Sequence, residues 1–209
     1  MPAKTKDAIK EITKKGDVTR LAIENAAFEL FMEQGYHATA MRQIADKAEL
    51  ALGGIYNHFS SKEEIFSAIL MDKHPYKQVL PIVLAAEGDT AEKLIRNAAK
   101  ALVTELGSRP EVLKLIFIEL VEFNGKHVSS LIGEIAPKFI PMFEKVVHVR
   151  KNLRKLPPPI LVRSFLGMFF SFYITELFIK DSVVATLMPK NSVDLFVDIY
   201  LHGVIKEKA

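Results

Sequence analysis

Residues 39–64, Thr-Ala-Met-Arg-Gln-Ile-Ala-Asp-Lys-Ala-Glu-Leu-Ala-Leu-Gly-Gly-Ile-Tyr-Asn-His-Phe-Ser-Ser-Lys-Glu-Glu, decide the fold. Thr39 is a good helix N-cap. Met41, Ile44, Ala45 and Ala48 then repeat at helical spacing, with Arg42, Gln43, Asp46 and Lys47 on the other side. A short turn at Glu49 and Leu50 leads into a brief second helix, about Ala51 to Asn57, whose core anchors are Ile55 and Phe59. Ser61 caps the next helix and Glu64 completes a capping box; Ser60 with Glu63 is an equally legal register. Two short helices joined tightly and braced by a third are the arrangement that lays a helix in the major groove of DNA.

Upstream, Ile23, Ala26, Ala27, Leu30 and Phe31 form one apolar face of a helix over about 18–34. Gly35 supplies its left-handed stop, and Tyr36 can fold back on Phe31. Residues 1–16, with Lys4, Lys6, Lys10, Lys14 and Lys15 against Asp7 and Glu11, read as a flexible basic arm. Downstream, helix punctuation recurs and strand signals are scarce. Pro75 and Pro81 imply a break, Asp89 with Glu92 a capping box, and Gly107 a stop. Pro110 suits the first turn of a helix ending near Gly125, and Pro137 and Pro141 punctuate the next. The basic stretch 150–155 and Pro157 to Pro159 read as an exposed connection before helices over about 159–180 and 192–206. The expectation is an all-α chain. A helix-turn-helix domain spans 17–70, and a larger helical ligand-binding and dimerisation domain spans 71–209.

Composition sets outer bounds. With 209 residues, 49% of them hydrophobic, the chain can bury a sizeable core. The absence of cysteine excludes disulfides, thiolate metal sites and cysteine nucleophiles. A net charge of +3 is permissive for nucleic acid without identifying a binder. The polar start, Met-Pro-Ala-Lys-Thr-Lys, lacks the apolar core of a signal peptide, so the expected compartment is the cytoplasm. Ile160 to Ile179 has the length of a membrane span, but Arg163 and Glu176 would be costly in lipid; a buried bundle helix explains it better. The six histidines show no metal-ligand spacing, and neither a Gly-x-Ser-x-Gly nor a phosphate-binding loop occurs. An enzyme, a metal and a cofactor are therefore not expected.

The motif allows residue assignments. Thr39 and the first amides of its helix can bond a phosphate. Arg42 and Gln43 can reach phosphate or a base edge. Tyr56, Asn57, His58 and Lys62 surround the end of the second helix and offer polar groups to the backbone. The bland reading stands beside each: Arg42 and Gln43 are also an ordinary solvated pair, and Thr39 is a structural cap in either case.

Residues 19–66 resemble the DNA-binding domain of tetracycline-repressor-like (TetR family) regulators. Ala26-Ala27, Leu30-Phe31, Gly35-Tyr36, Thr39, Arg42, Ile44-Ala45, Gly53, Ile55-Tyr56, His58-Phe59 and Ser61-Lys62-Glu63 carry the resemblance. It implies about nine helices, with the first three reading DNA, the last two forming a dimer interface, and a ligand pocket in the larger domain. The chain departs from the family where Glu49 replaces the usual Gly, and where Ala51 and Leu52 replace polar residues. The reading surface Ala51, Leu52, Gly53 and Gly54 therefore favours thymine-methyl contact and close backbone approach over direct hydrogen bonding. Paired glycines also loosen the helix by about 1 kcal/mol each relative to Ala.

In the larger part, Phe117, Glu119, Phe123, Phe169, Tyr173 and Glu176 are the candidate lining of an effector pocket, in a region that also carries Phe139 and Phe143. A carboxylate there would orient a neutral or cationic apolar ligand. For Glu119 and Glu122 a solvated stripe or an ion pair with Lys126 is the alternative. Phe165, Phe172, Val193, Phe196, Val197 and Tyr200 are the candidate homodimer interface. The expected activity is binding of double-stranded operator DNA by a repressor that a small apolar effector releases. The rival is a helical small-molecule binder that no longer reads DNA, which the weak surface at Ala51 to Gly54 favours.

Overall fold

The computed structural model describes residues 3–74, 81, 85, 90–140, 154 and 156–204, and among these every regular element is helical. The expected breaks at Pro75 and Pro141, the cap at Asp89, Phe143 and most of the 150–155 stretch lie outside the described residues. The helices are α1 (Ala3–Gln34), α2 (Met41–Lys47), α3 (Leu52–Tyr56), α4 (Lys62–Lys73), α5 (Ala91–Gly107), α6 (Glu111–Phe123) and α7 (Lys126–Ile135). A 3-10 turn (Ala136–Phe139), α8 (Pro158–Ile179), α9 (Val183–Leu187) and α10 (Ser192–Val204) follow. Two expected boundaries change. The segment expected as a flexible arm is the beginning of α1, because residues 3–15 hold neither proline nor glycine to stop a helix. The cap of α5 is Thr90, whose hydroxyl accepts from the Lys93 amide at 3.2 Å.

The chain divides into two compact units, residues 1–74 with 110–132, and residues 75–109 with 133–209. The first is larger than the expected 17–70 domain, since α6 and the start of α7 complete its core. Ile23, Ala27, Phe31, Ile44, Ala45, Ile55, Phe59, Ile65, Phe66, Ile69 and Leu70 bury there with Leu115, while Ile118, Phe123 and Val128 pack alongside. Aromatic rings knit this part together. Phe66 stacks on Phe123 at 4.9 Å, and Tyr36 meets Phe31 at 5.2 Å and Phe123 at 5.1 Å. Such contacts contribute beyond their buried area.

The second unit packs α5, α8 and α10 around Ala99, Leu102, Phe169, Val197 and Leu201. Its phenols satisfy helix carbonyls: Tyr173 Oη donates to Val103 at 2.8 Å and Tyr200 Oη to Leu161 at 2.8 Å. Arg96 bridges Glu92 and Asp198. α8 is apolar nearly all round, so its inward stripe leaves Ile160, Leu166, Leu177 and Phe178 exposed; α10 likewise exposes Leu195 and Ile199.

Candidate nucleic-acid interface

The interface is built where α1 stops. Gly35 sits at φ +87°, the left-handed conformation that favours glycine. Thr39 follows, only 1% exposed. Its hydroxyl donates to the Gly35 carbonyl at 2.8 Å and accepts from Gln34 Nε2 at 3.2 Å. Thr39 is therefore neither the N-cap of α2 nor placed for phosphate. The cap position is Ala40, whose amide donates to Gln43 Oε1 at 2.7 Å. Gln43 is exposed but engaged, accepting also from Gln34 Nε2 at 3.2 Å. Arg42 is exposed on the first turn of α2. Lys47, at the other end of α2, is tied back to α1 through Glu29 at 2.9 Å and Glu33 at 3.5 Å.

The α2–α3 turn is closed by backbone bonds, Glu49 N–H to Asp46 O at 3.2 Å and Leu50 N–H to Ala45 O at 2.9 Å. Glu49 itself has φ +57°. A non-glycine residue is strained there, so the position where the resemblance expects Gly does need that backbone shape. α3 is then a five-residue helix held by Ile55 and, just beyond it, Phe59, both buried as expected. Arg20 lies over the Phe59 ring at 4.2 Å and reaches the His58 carbonyl at 3.5 Å.

Ala51, Gly53, Tyr56 and Asn57 are exposed on α3 and its ends, with Tyr56 at 52%. Leu52, Gly54 and His58 are half-buried. Leu52 packs on the core of the unit. Among the described residues, a Cβ on Gly53 would meet nothing within 4 Å, and one on Gly54 only Leu50 Cβ at 3.9 Å. Packing among the described residues demands neither glycine.

α4 begins in the Ser61 register. Ser61 Oγ accepts from the Glu64 amide at 3.1 Å, and Glu64 reaches back to the Ser60 amide at 2.7 Å. Lys62 does not point into solvent. Its ammonium donates to the carbonyls of Tyr36 and Thr39 at 2.6 Å each, and His37 at 3.5 Å, with the Tyr36 ring 4.3 Å away. Burial pulls its pKa below the ordinary lysine value, with the nearby Glu122 charge acting the other way. Lys62, expected as a phosphate contact, caps the α1–α2 turn in the chain without DNA.

Sequence reasoning missed the polar corner beneath this site. Glu119 is fully buried. One oxygen accepts the amides of His127 at 2.7 Å and Val128 at 3.2 Å, and the other lies 2.8 Å from His127 Nδ1. These are early amides of α7, left unpaired by the helix itself. Glu119 therefore caps α7 and is unavailable to a ligand. Glu63 pairs with Lys126 at 2.7 Å, and His37 with Glu122 at 2.5 Å. The alternative ion pair of Glu119 or Glu122 with Lys126 is not formed. Opposite-charge spacing carried no hint, because Glu63 finds Lys126 in another helix and Glu122 finds His37 in the α1–α2 turn.

The other pocket candidates divide between the two units. Phe117 and Phe123 belong with Glu119 to the first unit, and Phe123 is spent in the aromatic cluster; Phe169, Tyr173 and Glu176 belong to the second. Phe169 is core, the Tyr173 hydroxyl is taken by Val103, and Glu176 is exposed. The dimer candidates are mostly half-buried or buried within the second unit. Val197 is buried within its own unit, and Phe165 and Val193 pack on the same core. Phe165 and Tyr200 are in ring contact, as are Phe172 and Phe196.

Residues 23–69 match the N-terminal domain of "Bacterial regulatory proteins, tetR family". Over 184 residues the chain is 24% identical to the uncharacterised HTH-type transcriptional regulator YvkB of Bacillus subtilis, covering 86% of this chain and 95% of that protein. Over 53 residues it is 42% identical to the HTH-type transcriptional regulator UidR of Escherichia coli K12, a match spanning 25% of this chain and 27% of UidR. Among solved structures, NalD of Pseudomonas aeruginosa, the secondary repressor of the MexAB-OprM multidrug efflux pump, superposes with a TM-score of 0.66. It is 23% identical, and the match covers 92% of this chain and all of NalD's.

Proposed function

We propose that this chain, which belongs to the TetR family of bacterial transcription regulators, works as a homodimeric repressor that a small apolar effector releases from its operator. Members of this family are DNA-binding regulators rather than enzymes. The observation that carries the reading is α3: a short helix pinned from behind by Ile55 and Phe59, presenting Gly53, Tyr56 and Asn57 outward. α3 enters the major groove. Arg42 and the first amides of α2 take phosphate, Tyr56, Asn57 and His58 contact the backbone, and Ala51 to Gly54 approach the bases closely.

The dimer forms through the exposed faces of α8 and α10, with Leu166, Leu177, Leu195 and Ile199 in place of the stripe expected from sequence. Among the described residues one helix, Pro159–Ile179, is long and apolar enough to cross a membrane. Arg163 and Glu176 interrupt it, and a second copy, not lipid, covers its outer face. The effector is recognised mainly by apolar contact, since Glu119 and the Tyr173 hydroxyl are committed within the fold. The protein acts on DNA in the cytoplasm.

The test is a mobility-shift assay on DNA flanking the gene, repeated across salt concentrations and with effector candidates. A saturable, salt-steep shift supports the reading. No shift on any flanking fragment returns it to the small-molecule binder. An effector must also bind the DNA-bound dimer more weakly than the free one; equal affinities refute release.

A further inference from the structure

We propose that residues 3–15, the N-terminal stretch of α1, form a second DNA-binding element that lies along the phosphate backbone beside α3. The inference rests on the DNA-binding reading. Lys4, Lys6, Lys10, Lys14 and Lys15 stand here against Asp7 and Glu11, a net +3. The whole chain is also +3, so residues 16–209 are neutral, with 23 Lys/Arg and 23 Asp/Glu. Within the first unit the imbalance is sharper. Residues 16–74 carry five Lys/Arg against nine Asp/Glu, and residues 110–132 two against three, a net −5 without the N-terminal stretch. Of those cations, Arg20 is paired with Glu24, Lys47 with Glu29 and Glu33, and Lys126 with Glu63. DNA draws a protein in through cations that neutralise phosphate, and the positive excess of this unit lies in residues 3–15.

Position agrees with charge. α1 runs unbroken from Ala3 to Gln34, and its first residue in the described core of the unit is Ile23. Arg20 fixes where the basic stretch departs. Its guanidinium lies 4.2 Å from the centre of the Phe59 ring, and its Nη1 donates to the His58 carbonyl at 3.5 Å. α1 therefore passes the end of α3 at this residue, close in sequence to the exposed Tyr56 and Asn57. At 1.5 Å per residue, Lys15, Lys14 and Lys10 follow about 8, 9 and 15 Å upstream along the helix axis. The stretch thus begins within about one Debye length, roughly 8–10 Å, of the end of α3. Gly16 stands between Lys15 and Arg20. Among the described residues, a Cβ there would meet nothing within 4 Å. Packing does not call for this glycine, and a glycine inside a helix weakens it. It is the point at which the stretch bends onto the phosphates of a duplex held on α3.

The test uses the full-length protein and two duplexes, one containing the operator and one scrambled. Lys10→Gln, Lys14→Gln and Lys15→Gln are combined, since Gln keeps helix propensity while removing charge. The salt slope of operator binding should flatten by about two to three counterions, and affinity at low salt should fall at least tenfold. Both duplexes should lose by the same factor, because phosphate contacts carry no sequence information. A control, Lys100→Gln with Lys180→Gln and Lys190→Gln, makes the same change of charge in the second unit and should keep the wild-type slope. An unchanged slope in the first variant, or an equal loss in the control, overturns the proposal. Lysine acetylation of the wild type gives a readout that needs no variant. Bound duplex should slow modification of Lys10, Lys14 and Lys15 several-fold and leave Lys100 and Lys190 unchanged; no protection refutes the contact. Wild type that shifts DNA without these effects sinks this proposal alone, whereas wild type that shifts neither duplex at low salt sinks the DNA-binding reading and this proposal with it.

Discussion

Removing the Glu119 carboxylate should cost more stability than almost any other polar deletion in the first unit. In Glu119→Ala the amides of His127 and Val128 lose their acceptor, and so does His127 Nδ1. Each buried donor left unpaired costs about 1–3 kcal/mol, and the truncation leaves a void that adds to this. The expected loss is about 3–6 kcal/mol, a large share of the roughly 5–15 kcal/mol that holds a typical protein folded. Buried carboxylates are often replaceable by apolar side chains when the partner is replaced too; here two partners are backbone amides and cannot be. Glu119→Gln makes the comparison sharp. Its amide oxygen still accepts both N–H groups, and only the imidazole contact changes, so about 1–2 kcal/mol should be lost. Urea unfolding followed by circular dichroism gives both values, and hydrogen exchange at His127 and Val128 localises the damage. If Glu119→Ala lies within 1 kcal/mol of wild type, or Gln is worse than Ala, the capping role is wrong.

Gly53→Ala should raise stability by up to about 1 kcal/mol, since helix propensity improves and the added methyl meets no atom of the described residues. The same methyl should weaken operator binding, and unchanged affinity would exclude close backbone approach at this position. Ile199 is 72% exposed on α10. Ile199→Glu should give a folded monomer by light scattering and circular dichroism, whereas a monomeric wild type at micromolar concentration removes the basis for the dimer. Burial pushes the Tyr173 phenol up to about 12. The unfolded chain then releases its proton first, so stability should fall as pH rises from about 10 towards 12. Tyr173→Phe should lose about 1 kcal/mol at neutral pH from the missing bond to Val103, and should be flatter over that alkaline window. Parallel profiles for the two proteins would contradict the assignment.

Local chemistry was legible in the sequence wherever partners lie within one turn. The Ser61–Glu64 cap, the Gly35 stop, the Tyr36 fold-back and the anchors Ile55 and Phe59 all stand where spacing puts them. Roles that depend on distant backbone were not. Lys62 finds its acceptors on the far side of α3, and Glu119 finds its donors in the next helix. Thr39 looked like a cap because of its residue type, yet the turn draws its hydroxyl inward. On α8 and α10 periodicity could not separate the stripe buried at home from the exposed one. Both helices are apolar around most of their circumference, so spacing alone does not choose the stripe that faces home. Glu49 carries the opposite lesson. A departure from the family pattern marked a true backbone requirement, the left-handed turn at φ +57°.

The first unit is discontinuous in sequence, and that bears on how the chain is made. Phe66, Tyr36 and Glu63 emerge from the ribosome early, but Phe123, Lys126 and His127, which pack or pair with them, follow only after residues 75–109. At about 5–20 residues per second, making the chain from Pro75 to His127 takes roughly 3–10 s. Through that time the nascent helix-turn-helix carries an uncovered aromatic face. A stalled or truncated chain ending near His74 would therefore release a sticky fragment in place of a small autonomous DNA binder.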